Sequence, residues 1–212
     1  MPRRIPLATI GLVAVGGALV CLVLAPFAMP ADYSLLADTV SKAAGQGVPR
    51  GWITKSGFVL TGIGAICFAF AAWPRWGRSG TIAHGLFAAA ICSAAWFETR
   101  PWRRDAPFDP IEHNRHSDAS NIAAAIFALC ILLVLWVDWP VARWRLTLGA
   151  ASIAASAATP ILMSIYADVD GLLERAWFVL AFAWWIALGV TLLRAPNPQA
   201  GGAAWSGDPG GS

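Results

Sequence analysis

Charge is what this chain has least of. Of its 212 residues, 12 are acidic and 15 basic, so charged side chains make up 13% of the sequence. A soluble domain carries roughly 25%, and a water-facing shell cannot be assembled from so little. The basic residues are nearly all arginine, they are dispersed, and the net charge is only +3. With no block of like charge, nucleic-acid binding has no basis here. Cysteine is also scarce. Cys21, Cys67, Cys92 and Cys130 each fall in a different apolar run and none lies in a loop, which excludes a disulfide framework. The catalytic signatures are missing too: there is no Gly-x-Ser-x-Gly elbow, no His-Glu-x-x-His helix, no phosphate-binding glycine loop and no Cys-x-x-Cys.

What is present is apolar sequence. Hydrophobic residues reach 58% and the mean hydropathy is +0.60. Six runs, over residues 7–29, 57–73, 81–97, 120–137, 146–166 and 176–193, are long and almost uncharged. Each is near the length at which a helix crosses a hydrocarbon core of ~30 Å. Lipid offers no partner to backbone amides, so such spans must be helical. The chain therefore reads as an all-α polytopic membrane protein. Residues 1–194 form one six-transmembrane-helix bundle, and 195–212, rich in Gly, Pro, Ala and Ser, form a disordered cytoplasmic tail. The run at 7–29 is too long for a signal peptide and lacks a clean cleavage site.

Connections of unequal length set the expected orientation. The short ones, 74–80 and 138–145, each hold two arginines, whereas the long ones collect ten of the twelve carboxylates. Arginine-dense short loops belong inside, which places both termini in the cytoplasm and the long loops at the outer face of the cell membrane. Tryptophans at 52, 96, 102 and 177 mark outer boundaries, and those at 73, 76, 136, 139 and 144 mark inner ones. Small residues fill the fifth span, with Ala151, Ala155 and Thr159 on one stripe and Ser152 and Ser156 on the next. That permits close helix approach and predicts a central fifth helix, kinked at Pro160. Leu35, Leu36, Thr39, Val40 and Ala43 recur at helical spacing and predict a short amphipathic helix over 33–44 at the outer interface.

Polar chemistry is confined to the long loops. Ionisable groups are nearly absent from mid-span, His84 being the one inside a run. Proton relays and ion-coupled carriers need such groups at depth, at ~2.5–3.5 kcal/mol or more per charge, and no broken helices recur in matched halves. A transporter therefore lacks its polar path. Between the third and fourth spans, Asp109, Glu112, His113 and His116 cluster. The two histidines share a helical face, but no second ligand pair completes a metal site, and no metal or cofactor is assigned. Ser117 or Asp118 is expected to cap the fourth helix. Before the sixth span, Asp170 suits a cap and Glu174 the positive end of the helix dipole. Arg175 opposes that dipole and needs a carboxylate or a lipid phosphate.

Taken together, these residues resemble a bacterial membrane family, domain of unknown function 998. Its first outer segment has the form Tyr-Ser…Ser…Pro…Trp…Gly, matched by Tyr33, Ser34, Ser41, Pro49, Trp52 and Gly57. Phe108, Asp109 and Pro110 match its Phe…Asp-Pro, and His116 with Ser120 its next step. Gly171, Glu174 and Arg175 match its Gly-x-x-acid-Arg. The family is distantly similar to the six-helix Frag1, DRAM and Sfk1 group, which implies an architecture and hints at lipids. The sequence thus predicts a multi-pass protein engaging lipid head groups or a membrane protein partner through Arg103, Arg104 and Arg175. The alternative is a lipid hydrolase or transferase with His116 as general base, oriented by Asp109 or Glu174.

Overall fold

Each apolar run is helical. The structure, a computed structural model, describes residues 4–103 and 105–194. It contains α1 (Arg4–Leu24), α2 (Trp52–Ala71), α3 (Trp73–Trp96), α4 (Pro110–Val137), α5 (Arg143–Ile165) and α6 (Asp170–Arg194). All six are long and apolar enough to span a membrane. The expected tail at 195–212 and the side chain of Arg104 lie outside the described residues.

Successive helices pack against one another, and α6 closes the bundle against α1. The connections 25–51, 97–109 and 166–169 meet at one end, hereafter the long-loop end. Glycine sets the closest approaches. A Cβ on Gly64 would lie 2.6 Å from Val15, and one on Gly57 would lie 2.6 Å from Leu22, so α1 and α2 touch backbone to side chain. Burial in lipid provides no hydrophobic drive, and contacts of this kind hold helices together there. Phe58, Phe68, Phe87, Phe127, Trp184 and Trp185 fill the middle. Outward-facing positions such as Val13, Ile82, Leu132 and Val179 are exposed and apolar, as a lipid-facing surface requires.

The expectation of a central fifth helix is corrected. Among the described residues helix α5 packs chiefly on α4 and α6, and just Arg145, Gly149, Ser152 and Ser156 on it are buried. Its small residues admit the large rings of α6: Trp184 lies 3.2 Å from where a Gly149 Cβ would be, and Trp177 Nε1 donates to Ser156 Oγ at 2.9 Å. Helix α6 reaches farther across the bundle, its Trp185 ring meeting Phe68 of α2, Phe87 of α3 and Phe127 of α4. Trp76, in the first turn of α3, is buried and stacked on His84 with centroids 4.8 Å apart.

At the opposite end, Asp138 is buried between two arginines. Arg75 Nε approaches Oδ1 at 2.6 Å and Arg145 Nη2 donates to Oδ2 at 3.0 Å. One carboxylate thus joins the α2–α3 and α4–α5 connections.

Candidate binding cavity at the long-loop end

Helix α4 starts ten residues before its apolar run. Asp109 caps it, accepting from the amides of Ile111 at 2.8 Å and Glu112 at 3.4 Å. Pro110 then occupies the first helical position, where its missing N–H costs nothing. Ser117 and Asp118 are therefore interior residues and not caps; Ser117 Oγ donates back to the His113 carbonyl at 3.0 Å. The extension lifts His113 and His116 onto one face against the end of α3.

His116 is 4% exposed and its role there is well defined. Its Nδ1 meets the carbonyls of Ala94 at 2.8 Å and Phe97 at 2.9 Å. Carbonyls only accept, so Nδ1 carries the proton and satisfies an α3 terminus that has run out of amides. Nε2 is then the acceptor, and Ser120 Oγ lies 3.3 Å from it. His113 holds the other tautomer: the Arg100 amide donates to its Nδ1 at 3.4 Å, and Thr99 Oγ1 lies at 2.9 Å.

The segment 33–44 is not the amphipathic α-helix its pattern predicts. It is a series of turns ending in a 3-10 turn at Ser41–Ala44, because its carbonyls are bonded elsewhere. Arg175 Nη1 donates to the carbonyls of Leu35 at 2.6 Å, Asp38 at 2.8 Å and Gly171 at 2.8 Å. Its Nη2 donates to Tyr33 Oη at 2.8 Å, and that hydroxyl donates onward to the Thr39 carbonyl at 2.8 Å. Beside it, Ser41 Oγ and N donate to the two oxygens of Glu174 at 2.8 and 3.3 Å. Gly171 is required by this contact, since the Asp38 carbonyl occupies the place a Cβ would take. Burial pushes the Tyr33 hydroxyl up to about 12, against the lowering effect of Arg175.

Gln46 joins this loop to the next. Its side chain donates to the carbonyls of Glu98 and Asp109, both at 3.0 Å, and accepts from the Asp109 amide at 2.6 Å. Lys55 pairs with Glu98, whose amide donates to Glu112 Oε1 at 3.1 Å. Arg103 forms a two-point pair with Asp32, at 2.7 and 3.4 Å. That bond holds the Asp32 carboxyl below its usual range and raises Arg103.

These contacts bring the segments 25–51 and 97–109 and the start of α6 around one cavity of about 320 Å³. Ser41, Lys42, Thr99 and Arg100 line it from the loops, and Asp170 and Glu174 from α6. His113, His116, Ser120 and Asn121 supply the α4 wall. Farther in it is apolar, with Phe58, Ile91, Ala123, Ala124 and Phe178. Thr159, Pro160 and Met163 of α5 close the remaining side and are themselves partly exposed. Among the described residues no group of three or more His, Cys, Asp or Glu side chains is arranged to hold a metal ion.

The residues singled out from sequence are thus divided. His116 and Glu174 reach the cavity. Asp109 does not; it is a helix cap tied to Gln46. Arg175 lies behind Glu174 with its guanidinium bonded within the chain, and Arg103 is paired with Asp32. Sequence reasoning missed Lys42, Arg100, Ser120 and Asn121 as cavity residues and assigned Asp170 only a capping role. The helical period from His116 to Ser120 was the available signal for the α4 wall.

A family model described as "Protein of unknown function (DUF998)" matches residues 12–191. The chain belongs to the DUF998 family. Among curated proteins and among solved structures, nothing matches it. In this DUF998 protein several of the residues that carry the resemblance meet in space: Tyr33, Ser41, Gly171, Glu174 and Arg175 form one clasp, while Asp109 and His116 terminate α4 and α3.

Proposed function

We propose that this DUF998 protein binds an amphiphile, taking a lipid head group among the polar residues of the cavity and the start of its chain along the apolar ones. One observation carries the reading: a single cavity is ringed by Ser41, Lys42, Arg100, Asn121 and Glu174 at the long-loop end and by Phe58, Ile91 and Phe178 deeper in. Sites for small ligands combine a mostly apolar lining with a few converging polar groups. The volume suits a head group and its first chain atoms. In this proposal the long-loop end faces away from the cytoplasm and both termini lie inside, in keeping with arginines at 75, 78, 143 and 145 in or beside the short connections. In this proposal lipid contact moves from Arg103 and Arg175, whose guanidiniums are bonded within the chain, to Lys42 and Arg100. A membrane protein partner would dock on the loops that surround the mouth.

The test is native mass spectrometry of protein released gently from its membrane, beside an Ala124→Phe variant that fills the apolar half. Lipid adducts should survive on the wild type and fall at least severalfold in the variant at equal folding yield. Equal retention by both proteins contradicts the proposal.

One contact favours a second reading, a hydrolase or transferase: the acceptor Nε2 of His116 is directed at Ser120 Oγ inside the cavity. In it His116 is the general base, with its Nδ1 oriented by two carbonyls in place of Asp109 or Glu174. Head-group or acyl products formed from supplied phospholipid, and lost in His116→Gln, would establish it over simple binding.

A further inference from the structure

Toward the long-loop end, five of the six helices carry buried residues almost to their ends and α5 does not. Burial reaches Leu22 on α1, Thr54 on α2, Ala95 on α3, His116 on α4 and Gly171 on α6. On α5 it stops at Ser156, although the helix continues to Ile165, leaving roughly 13 Å of helix at 1.5 Å per residue. Interhelical hydrogen bonds stop at the same place. Ser152 Oγ donates to the Leu180 carbonyl at 3.4 Å and Trp177 Nε1 to Ser156 Oγ. Among the described residues, 157–165 make no hydrogen bond to another helix; Ser164 Oγ turns back to the Ile161 carbonyl. Pro160, with no amide to donate, falls just past this limit and marks where the helix can bend.

The seam with α4 is the freer side of this segment. The connection 166–169 ties α5 to α6 at the long-loop end, whereas α4 and α5 are joined at the opposite end, through 138–142 and the Arg145–Asp138 bond. There the two helices are close, with Leu135 and Ile131 lying 2.9 and 3.1 Å from where a Gly149 Cβ would stand. Toward the long-loop end both wall the cavity, α4 with Asn121, Ala123 and Ala124 and α5 with Thr159, Pro160 and Met163. Of these, Asn121 is exposed and the three α5 residues are half-buried. The loops around the same cavity are cross-tied by Gln46, by the Ser41–Glu174 pair and by the Arg175 clasp. Residues 157–165 are its least-tied wall.

Resting on the proposal that the cavity holds an amphiphile, we infer that this ligand is a lipid of the surrounding bilayer, admitted sideways between α4 and α5 with 157–165 as the gate. Opening there breaks no interhelical hydrogen bond, and the helix keeps its own backbone bonds in lipid. Asn121 and Thr159 give an entering head group polar contacts at the seam, and Met163 leaves an apolar path for a chain that stays in the bilayer.

The test follows lipid exchange in nanodiscs, with native mass spectrometry counting ordinary against deuterated phospholipid held by the protein. Asn121→Cys and Met163→Cys, in a chain carrying Cys21→Ala, Cys67→Ala, Cys92→Ala and Cys130→Ala, are bridged by a flexible, reducible bis-maleimide. The bridge should slow exchange of the held lipid by roughly tenfold or more, as pinning a gate does, and reduction should restore it. Equal exchange with and without the bridge overturns the gate. Rapid entry into the bridged protein of a lysophospholipid supplied in water also overturns it, since the ligand would then arrive through the loops. Wild type supplies a second measurement that needs no mutation. Amide hydrogen exchange should be faster over 157–165 than over 120–128 of α4, and equal protection of the two stretches contradicts the inference. These outcomes leave the binding proposal standing, whereas no retained amphiphile of any class on wild type removes it.

Discussion

Arg175 shows how one side chain redirects twelve residues. Its pattern neighbours at 33–44 have helical spacing, but a guanidinium offers donors in a fixed planar fork, and two carbonyls and a hydroxyl of that segment have turned to meet it. A helix would have used those carbonyls internally. Arg175→Met should leave them partly buried and unpaired, destabilising the fold by about 3 kcal/mol or more. The change would appear as a lower melting temperature in detergent and faster proteolysis within 31–51. Lysine at 175 keeps the charge without the fork and should recover only part of the loss. A melting temperature equal to wild type in Arg175→Met would contradict the clasp. Tyr33 gives a second, independent reading of it. Burial raises its folded-state value to about 12 from the ordinary 10.0, so the proton is held more tightly in the folded chain. Its stabilising contribution is complete below pH 10 and is lost as the pH rises toward 12. Titration by tyrosinate absorbance, with Tyr33→Phe identifying the step, should place it near 12; ionisation near 10 would mean that the hydroxyl is not buried.

Elements differ in how much of them local sequence decides. The six spans were legible because hydropathy and length act within one segment, and each expected run lies largely within one observed helix. The start of α4 was not, because residues 110–119 are polar and nothing in their hydropathy separates a helix from a loop. The decisive features are the Asp109 carboxylate on two amides and the proline that follows it. Asp109→Ala should cost about 0.5–2 kcal/mol, expressed as faster hydrogen exchange in 110–119 while 120–137 stays protected. Uniform exchange across α4 in the variant would contradict a local cap. Helix α5 failed for another reason. A stripe of small residues says that a neighbour comes close, but not how many neighbours there are. Here the neighbour is α6, whose tryptophans need the space.

At the scale of the whole molecule, the cavity is assembled from segments that are distant in sequence. Ser41 and Glu174, 133 positions apart, are bonded to each other, and Thr99, Arg100 and His116 come from between them. His116 and Glu174 were visible beforehand as ionisable residues close to span ends. Lys42, Arg100, Ser120 and Asn121 were not, because nothing local distinguishes them from other loop or helix-end residues. Their meaning depends on the closing of a six-helix ring, with α6 returning against α1. The same ring separates the two ends chemically: one carboxylate shared by two arginines at the short connections, and an amphipathic hollow at the long ones.

Whether this hollow seats an amphiphile is decided by the structure of the protein in nanodiscs made from its own membrane lipids. Elongated density is predicted in the cavity, its head beside Lys42 and Arg100 and its chain running past Phe58 and Phe178 toward α5. A cavity that contains only isolated water peaks, or that is closed by inward movement of α5, would contradict the claim.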